Sequence, residues 1–129
     1  DDLISQVLAS MGAELQQTLA PAFTQAVADH VELLRTAWPI LATDDADPVF
    51  RLFFEANGLA VTGREPYATA VTGLVAMWID WVTEFIEGDD GHRRTEAETA
   101  IAVLDGLLLL RLLAGPSAGQ RAAERLGIT

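Results

Sequence analysis

The chain has 129 residues, half of them hydrophobic, so a single domain with its own core is expected and disorder is excluded. The net charge is −11 and every basic residue is Arg, which excludes a basic surface that holds a nucleic-acid backbone. The absence of Cys excludes disulfides and thiol chemistry and fits a reducing cytoplasm. No uncharged run reaches the ~20 residues of a membrane span, so no membrane contact is expected.

Two helices are predicted at the start of the chain. Apolar residues recur at three- and four-residue steps over Leu3–Leu19, which indicates an amphipathic helix that Pro21 ends or kinks. The same period continues over Phe23–Trp38 and predicts a second helix, with Pro39 near its end.

The middle of the chain predicts two more helices. An acidic turn at residues 44–47 leads into Asp47-Pro48, an acidic cap followed by Pro at the first helical position. The helix that starts there fades over residues 58–63. Pro66 opens the next helix, with Glu65 as a candidate cap.

The last third predicts a loop and two helices. Residues 88–91 form the loop, and the T-x-x-E spacing of Thr95 and Glu98 is that of a capping box, which marks a helix start. This helix stops at Gly115-Pro116, and a short one follows over Ser117–Leu126. Since no segment alternates strictly, we expect five or six helices in one bundle-like, all-α domain and no sheet.

The Thr95–Leu113 helix is apolar on almost every side, and such a helix must be covered on every side. The simplest arrangement packs one face inside the subunit and the other on a second copy, which predicts a homodimer. Asp105 and Arg111 lie among its leucines, and a charge there is costly unless another element or another subunit supplies a partner. In a two-fold dimer each could find its partner across the seam; equally, Asp105 could bond to a neighbouring backbone amide. The predicted dimer interface is Leu104, Asp105, Leu107, Leu108 and Arg111.

Large aromatic side chains concentrate in the middle of the chain. Core packing accounts for any one of them, but together with a Met and a few polar groups they suit an adaptable apolar pocket. Asp80, beside two tryptophans, either orients a ligand or, as we favour, lies on an exposed stripe with Glu84. The predicted ligand-binding residues are Trp38, Phe50, Phe54, Asn57, Met77, Trp78, Trp81 and Phe85.

No pattern for catalysis or metal binding is present. His30 and His92 are isolated and are interpreted as ordinary surface histidines, because a metal needs convergent ligands. No Ser lies in a G-x-S-x-G elbow, and there is no phosphate-binding loop or dinucleotide fingerprint. We therefore expect no enzymatic activity, no cofactor and no metal.

Three stretches resemble the C-terminal domain of TetR-type (tetracycline-repressor-like) transcription regulators. Residues 47–58 (DPVFRLFFEANG) are similar to a short helix of that domain, and residues 66–86 to the long helix lining its effector cavity. Residues 97–115 (AETAIAVLDGLLLLRLLAG) closely resemble its dimerisation helix. With residues 3–41, the resemblance covers most of the chain.

The resemblance implies a bacterial, cytoplasmic regulatory domain spanning residues 1–129. Such a domain dimerises through a four-helix bundle and binds a small, largely apolar effector. Nothing in these residues resembles the family's N-terminal helix-turn-helix, so DNA would be a partner only through that missing domain. The alternatives are a purely structural dimerisation domain with a filled core and, less in keeping with the residues, a small helical enzyme or carrier.

Overall fold

A computed structural model describes residues 2–129, with side chains from Leu3 onward, as six α-helices and one 3-10 turn at Ala20–Ala22. Within this range the one strand-like pairing is a parallel bridge between Val27 and Ile86, which confirms the predicted all-α class. No helix in the described range is long and apolar enough to cross a membrane. The helices are α1 (Asp2–Leu19), α2 (His30–Leu41), α3 (Asp47–Val61), α4 (Tyr67–Thr83), α5 (Asp90–Ala114) and α6 (Pro116–Arg125).

Helix α5 is the centre of the fold and packs against α2, α3, α4 and α6. Its inward face buries Ala97, Ala100, Leu107 and Leu108 in the main core. Full burial of a Leu side chain contributes about 1.5–3 kcal/mol, so this face holds the surrounding helices in place. Helix α1 lies across α4, and a smaller core around Leu8 joins these two helices to α3.

The second predicted helix begins later than its periodicity indicates, so the predicted start at Phe23 is wrong. Helix α2 starts at His30, because the Asp29 carboxylate accepts a hydrogen bond from the Glu32 N–H at 3.0 Å and caps it. The backbone of Val27 bonds instead to Phe85 and Glu87, each at 2.8 Å. These partners are distant in sequence, so a local pattern could not reveal them.

The predicted start of the long helix at Thr95 is also wrong. Helix α5 begins at Asp90, because the carboxylate of Asp89 accepts a hydrogen bond from the His92 N–H at 2.9 Å and supplies the cap. Thr95 and Glu98 therefore lie inside the helix rather than at its end. Residues 88–91, predicted as a loop, therefore include the first residues of α5.

Other predicted helix ends are confirmed, but two predicted caps are wrong. Helix α1 ends at Leu19, shortly before Pro21. Asp47 is the first residue of α3 rather than its cap, and α4 is capped at Pro66 without a side-chain hydrogen bond, although Glu65 accepts one from the Thr69 N–H at 3.3 Å. Helix α5 ends at Gly115, whose φ of +101° is a conformation that favours glycine. Pro116 then opens α6 directly.

One ion-pair cluster ties the end of α5 to the start of α3. The Arg111 guanidinium donates to both Asp47 oxygens, at 2.8 and 3.2 Å, and to Asp44 Oδ1 at 2.9 Å. These hydrogen bonds, above all those with Asp47, raise the pKa of Arg111 above its ordinary value and keep it charged although it is only 7 % exposed. Arg111 thus finds its partners on another part of its own subunit and needs none across a dimer seam.

Candidate functional site

A partly open cavity of about 80 Å³ lies between α1, α2, α3, α4 and α5. Its walls are almost entirely apolar, with four aromatic side chains and two polar ones. The residues that line it are Leu15, Leu41, Phe50, Phe53, Phe54, Asn57, Leu74, Val75, Trp78, Ile101, Leu104 and Asp105.

Helical periodicity explains why these side chains converge. On α3, Phe50, Phe53, Phe54 and Asn57 follow the three- and four-residue steps that bring side chains to one face of a helix. Helices α4 and α5 repeat this spacing toward the same space, and α1 contributes Leu15. The cavity thus lies where the aromatic face of α3 meets the central helix of the fold.

Asp105 is the charged residue of the cavity wall. Among the described residues its carboxylate has no hydrogen-bond or ion-pair partner. Burial alone raises the pKa of Asp105 from 3.8 to about 6. Within the described chain Asp105 bonds to no backbone amide, so that interpretation is wrong, and it lines the cavity. Its pairing with a group across a dimer seam stays a prediction.

Asn57 is the other polar residue of the wall. Its side chain is half-buried and makes no hydrogen bond within the described range. An amide carries both a donor and an acceptor, so it can bond to either kind of ligand group. The wall therefore offers one negative charge and one adaptable polar group within an apolar surface.

Four of the eight predicted ligand-binding residues line this cavity: Phe50, Phe54, Asn57 and Trp78. Trp81 instead lines an adjoining space of about 20 Å³ that Trp78 also borders. The other three residues do not line either cavity.

The structure places Trp38, Phe85 and Met77 outside the two cavities. Trp38 is buried and donates its indole N–H to Gln120 Oε1 at 3.1 Å. Phe85 packs on Phe23 and Trp81, with ring centroids 5.1 and 5.0 Å apart. Met77 is exposed on the side of α4 that faces α1. An aromatic ring fills a core as well as it lines a pocket, so residue type could not separate these cases.

Most aliphatic residues of the wall were not predicted to bind ligand, and two wall residues, Leu104 and Asp105, were predicted to lie in the dimer interface instead. A signal for Asp105 existed, since it is an acid in a leucine-rich helix with no cation one turn away. The aliphatic positions gave no such signal, because in sequence they resemble any core residue.

The outward face of α5 differs from the predicted interface. Leu107, Leu108 and Arg111, three of its five residues, are buried by the chain's own elements. The exposed side chains of this helix follow its 3.6-residue period on the opposite face. They form what is here called the α5 outer stripe: Ala102, Gly106, Leu109, Leu110 and Leu113.

Asp80 and His30, both predicted to lie on the surface, differ in their exposure. Asp80 is exposed as predicted, and its carboxylate accepts a hydrogen bond from Arg94 at 2.9 Å. His30 is instead half-buried and bonds through Nδ1 to Glu96 at 2.8 Å. The hydrogen bonds from His30 lower the pKa of Glu96, so this contact ties α2 to α5. Within the described range no three His, Asp or Glu side chains converge on a point.

No protein-family model, curated protein or solved structure matches this chain. The cavity and the α5 outer stripe are therefore the features from which a function can be inferred.

The unpaired carboxylate predicts an unusual pH dependence of stability. Because the pKa of Asp105 is higher in the folded than in the unfolded chain, its contribution to stability is full below about pH 4 and lost as pH rises through 6. Asp105→Asn should therefore raise the free energy of unfolding at pH 8 by roughly 2–3 kcal/mol, and the gain should nearly vanish at pH 4. Urea unfolding at both pH values measures it.

The control is Asp80→Asn, which removes an exposed acid from α4 and should give no gain at pH 8. Equal effects of Asp105→Asn at both pH values would contradict the assignment of a partly buried carboxylate without a protein partner.

Proposed function

We propose that this chain is the regulatory domain of a TetR-type transcription regulator. It binds a small, largely apolar effector in the cavity and forms a homodimer through α5 and α6. The dimer controls DNA binding by a helix-turn-helix domain that these residues do not include. The observation that carries the proposal is that one helix, α5, lines the cavity with one face and exposes leucines on another.

The composition of the cavity supports effector binding. Small-molecule sites are concave and mostly apolar, with a few polar groups that fix orientation, and this wall has that composition. Its volume is about half that of an engineered 150 Å³ cavity that binds benzene. An effector of that size would enter with rotation of wall side chains such as Phe53 or Phe54.

The α5 outer stripe supports the homodimer. Leu113 is 79 % exposed, and Leu109 and Leu110 beside it are each about two-fifths exposed, which is costly in water. A side chain placed at Gly106 would meet nothing within 4 Å, so another helix has room to approach closely there. Helix α6 packs beside α5, and two copies of this pair would form the four-helix bundle.

The geometry of α5 suggests how the two properties communicate. At 3.6 residues per turn, Asp105 lies about 120° around the helix from Arg111, between the buried face and the outer stripe. Leu109 lies one turn beyond Asp105, on that stripe. A ligand that changes the position of Asp105 would therefore favour one arrangement of the two copies over another, which is a shift of population.

The second candidate is the purely structural dimerisation domain. The small cavity and the filled cluster of Phe23, Trp81 and Phe85 favour it. The two candidates share the dimer and differ in whether a ligand enters the cavity. Separate experiments therefore test the two halves of the proposal.

The first experiment tests the dimer. Sedimentation at micromolar concentration should show a dimer, and Leu113→Glu should give a folded monomer because it places a charge in the apolar seam. The matched control is Val61→Glu, where the side chain is 87 % exposed and lies at the opposite end of α3 from the Asp47–Arg111 ion pair. This variant should remain a dimer. A monomeric wild-type protein would contradict the proposal.

The second experiment tests entry into the cavity. A variant that keeps only Trp78 (Trp38→Phe, Trp81→Phe) reports on the wall, since Trp78 lines it. Iodobenzene, whose heavy atom quenches indole emission on contact, should quench this variant saturably. It should also stabilise the fold, by ~2.7 kcal/mol at a hundredfold excess over the Kd.

The matched control keeps only Trp38, which is 2 % exposed in the core and bonded to Gln120, and it should show no saturable quenching. Equal behaviour of the two variants, with no thermal shift, would favour the structural dimerisation domain.

A further inference from the structure

Asp105 places an ionisable carboxylate without a protein cation in a cavity walled by aromatic rings. We propose that the cavity is specific for organic monocations, with the Asp105 carboxylate as counter-charge to a protonated amine that carries a small apolar body. This rests on the proposed function in one respect, that the cavity binds a ligand, and it names the chemical class of that ligand.

The distribution of cations in the fold leaves this carboxylate free. None of the described arginines lines the cavity. Arg111 is held by Asp47, Arg94 bonds to Asp80, and Arg93 donates to the carbonyl of Thr83. A partly buried charge without a protein partner is less well solvated than one in water, so a group that neutralises it gains more than one that does not. A neutral ligand would exclude water from the carboxylate, and an anion would be repelled.

The rest of the wall suits a cation with an apolar body. The faces of aromatic rings attract a cation within about 6 Å of their centroids, and Trp78, Phe50 and Phe54 line this cavity. An ammonium group has three donors, and the side-chain oxygen of Asn57 is a second acceptor on the same wall. The aliphatic residues would contact the body of the ligand.

The wall also distinguishes a monoamine from other cations. A divalent metal ion takes six or more oxygen ligands, whereas this cavity offers one carboxylate and one amide. A polyamine would bring further charges into apolar surroundings, where no second acid meets them. A single amino group on an aromatic or short aliphatic body therefore fits best.

Calorimetry with three isosteric probes at pH 8 tests this specificity. 2-Phenylethylamine is the cation, 2-phenylethanol the neutral probe and phenylacetate the anion. The wild-type protein should bind the amine at least tenfold more tightly than the alcohol and should show no detectable binding of the anion. Asp105→Asn should lower the affinity for the amine at least tenfold and leave that for the alcohol unchanged or higher.

The matched control is Asp80→Asn, which removes an exposed acid from α4 and should keep the wild-type preference for the amine. If Asp105→Asn does not fold, the pH dependence of binding to the wild-type protein tests the same role of Asp105. The wall segments contributed by α1, α2, α3 and α4 carry no titratable side chain within the described range. Affinity for the amine should fall about tenfold from pH 8 to pH 5, as Asp105 becomes protonated, while that for the alcohol should not.

The outcomes separate this inference from the proposed function. If the wild-type protein binds the alcohol as tightly as the amine, or if Asp105→Asn keeps the preference, the charge specificity is wrong and the effector cavity stands. If no probe binds and iodobenzene also fails to quench Trp78, the effector cavity is wrong and the specificity with it.

Discussion

The hydrogen-bonded ion pair between Arg111 and Asp47, together with the buried face of α5, allows one rotation of this helix in the fold. It joins the last turn of α5 to the first turn of α3, and Gly119 of α6 packs against the Arg111 side chain. With Arg111 in this position, the 3.6-residue period of the helix fixes the direction that each other residue of α5 faces. Leu107 and Leu108 enter the core, Asp105 reaches the cavity, and the other leucines are left outside.

This rotation gives α5 three faces with different solvation. The buried face holds the neighbouring helices together, and the cavity face carries a charge that burial makes costly. The outer stripe is apolar and exposed. In an isolated chain without ligand, the charge on the cavity face and the exposed leucines of the outer stripe each cost free energy. A cationic effector and a second copy of the chain would each remove one of these costs, and the helix that carries both faces would couple the two events.

The parts of the fold that follow local rules could be predicted from the sequence. The end of α1 at Pro21 and the Gly115-Pro116 junction depend on residues next to each other in the chain, and so does the all-α class. The starts of α2 and α5 were misplaced. For α2, the backbone of Val27 is bonded to a segment sixty residues away. For α5, a true acidic cap at Asp89 competed with the capping-box spacing at Thr95.

The candidate site was predictable in kind but only partly in its residues. Aromatic composition indicated a pocket, and Phe50, Phe54, Asn57 and Trp78 do line one. The same composition could not show that Trp38 donates a hydrogen bond to Gln120, because a Trp side chain packs in a core as well as it lines a pocket. Asp105 shows the limit most clearly. The sequence marked it as a charge in need of a partner, but the direction it faces depends on an ion pair made six residues away.

Coupling through α5 is tested most directly by measuring the dimer dissociation constant by sedimentation, with and without saturating 2-phenylethylamine. If α5 joins the cavity to the seam, the ligand should change this constant at least fivefold, which corresponds to a coupling free energy of about 1 kcal/mol. By linkage, the amine should then bind the monomeric Leu113→Glu variant and the dimer with different affinities. It should bind the dimer more tightly if it strengthens the dimer, and the monomer more tightly if it weakens the dimer. Binding of the amine with equal affinity to monomer and dimer, and an unchanged dimer constant, would contradict the coupling.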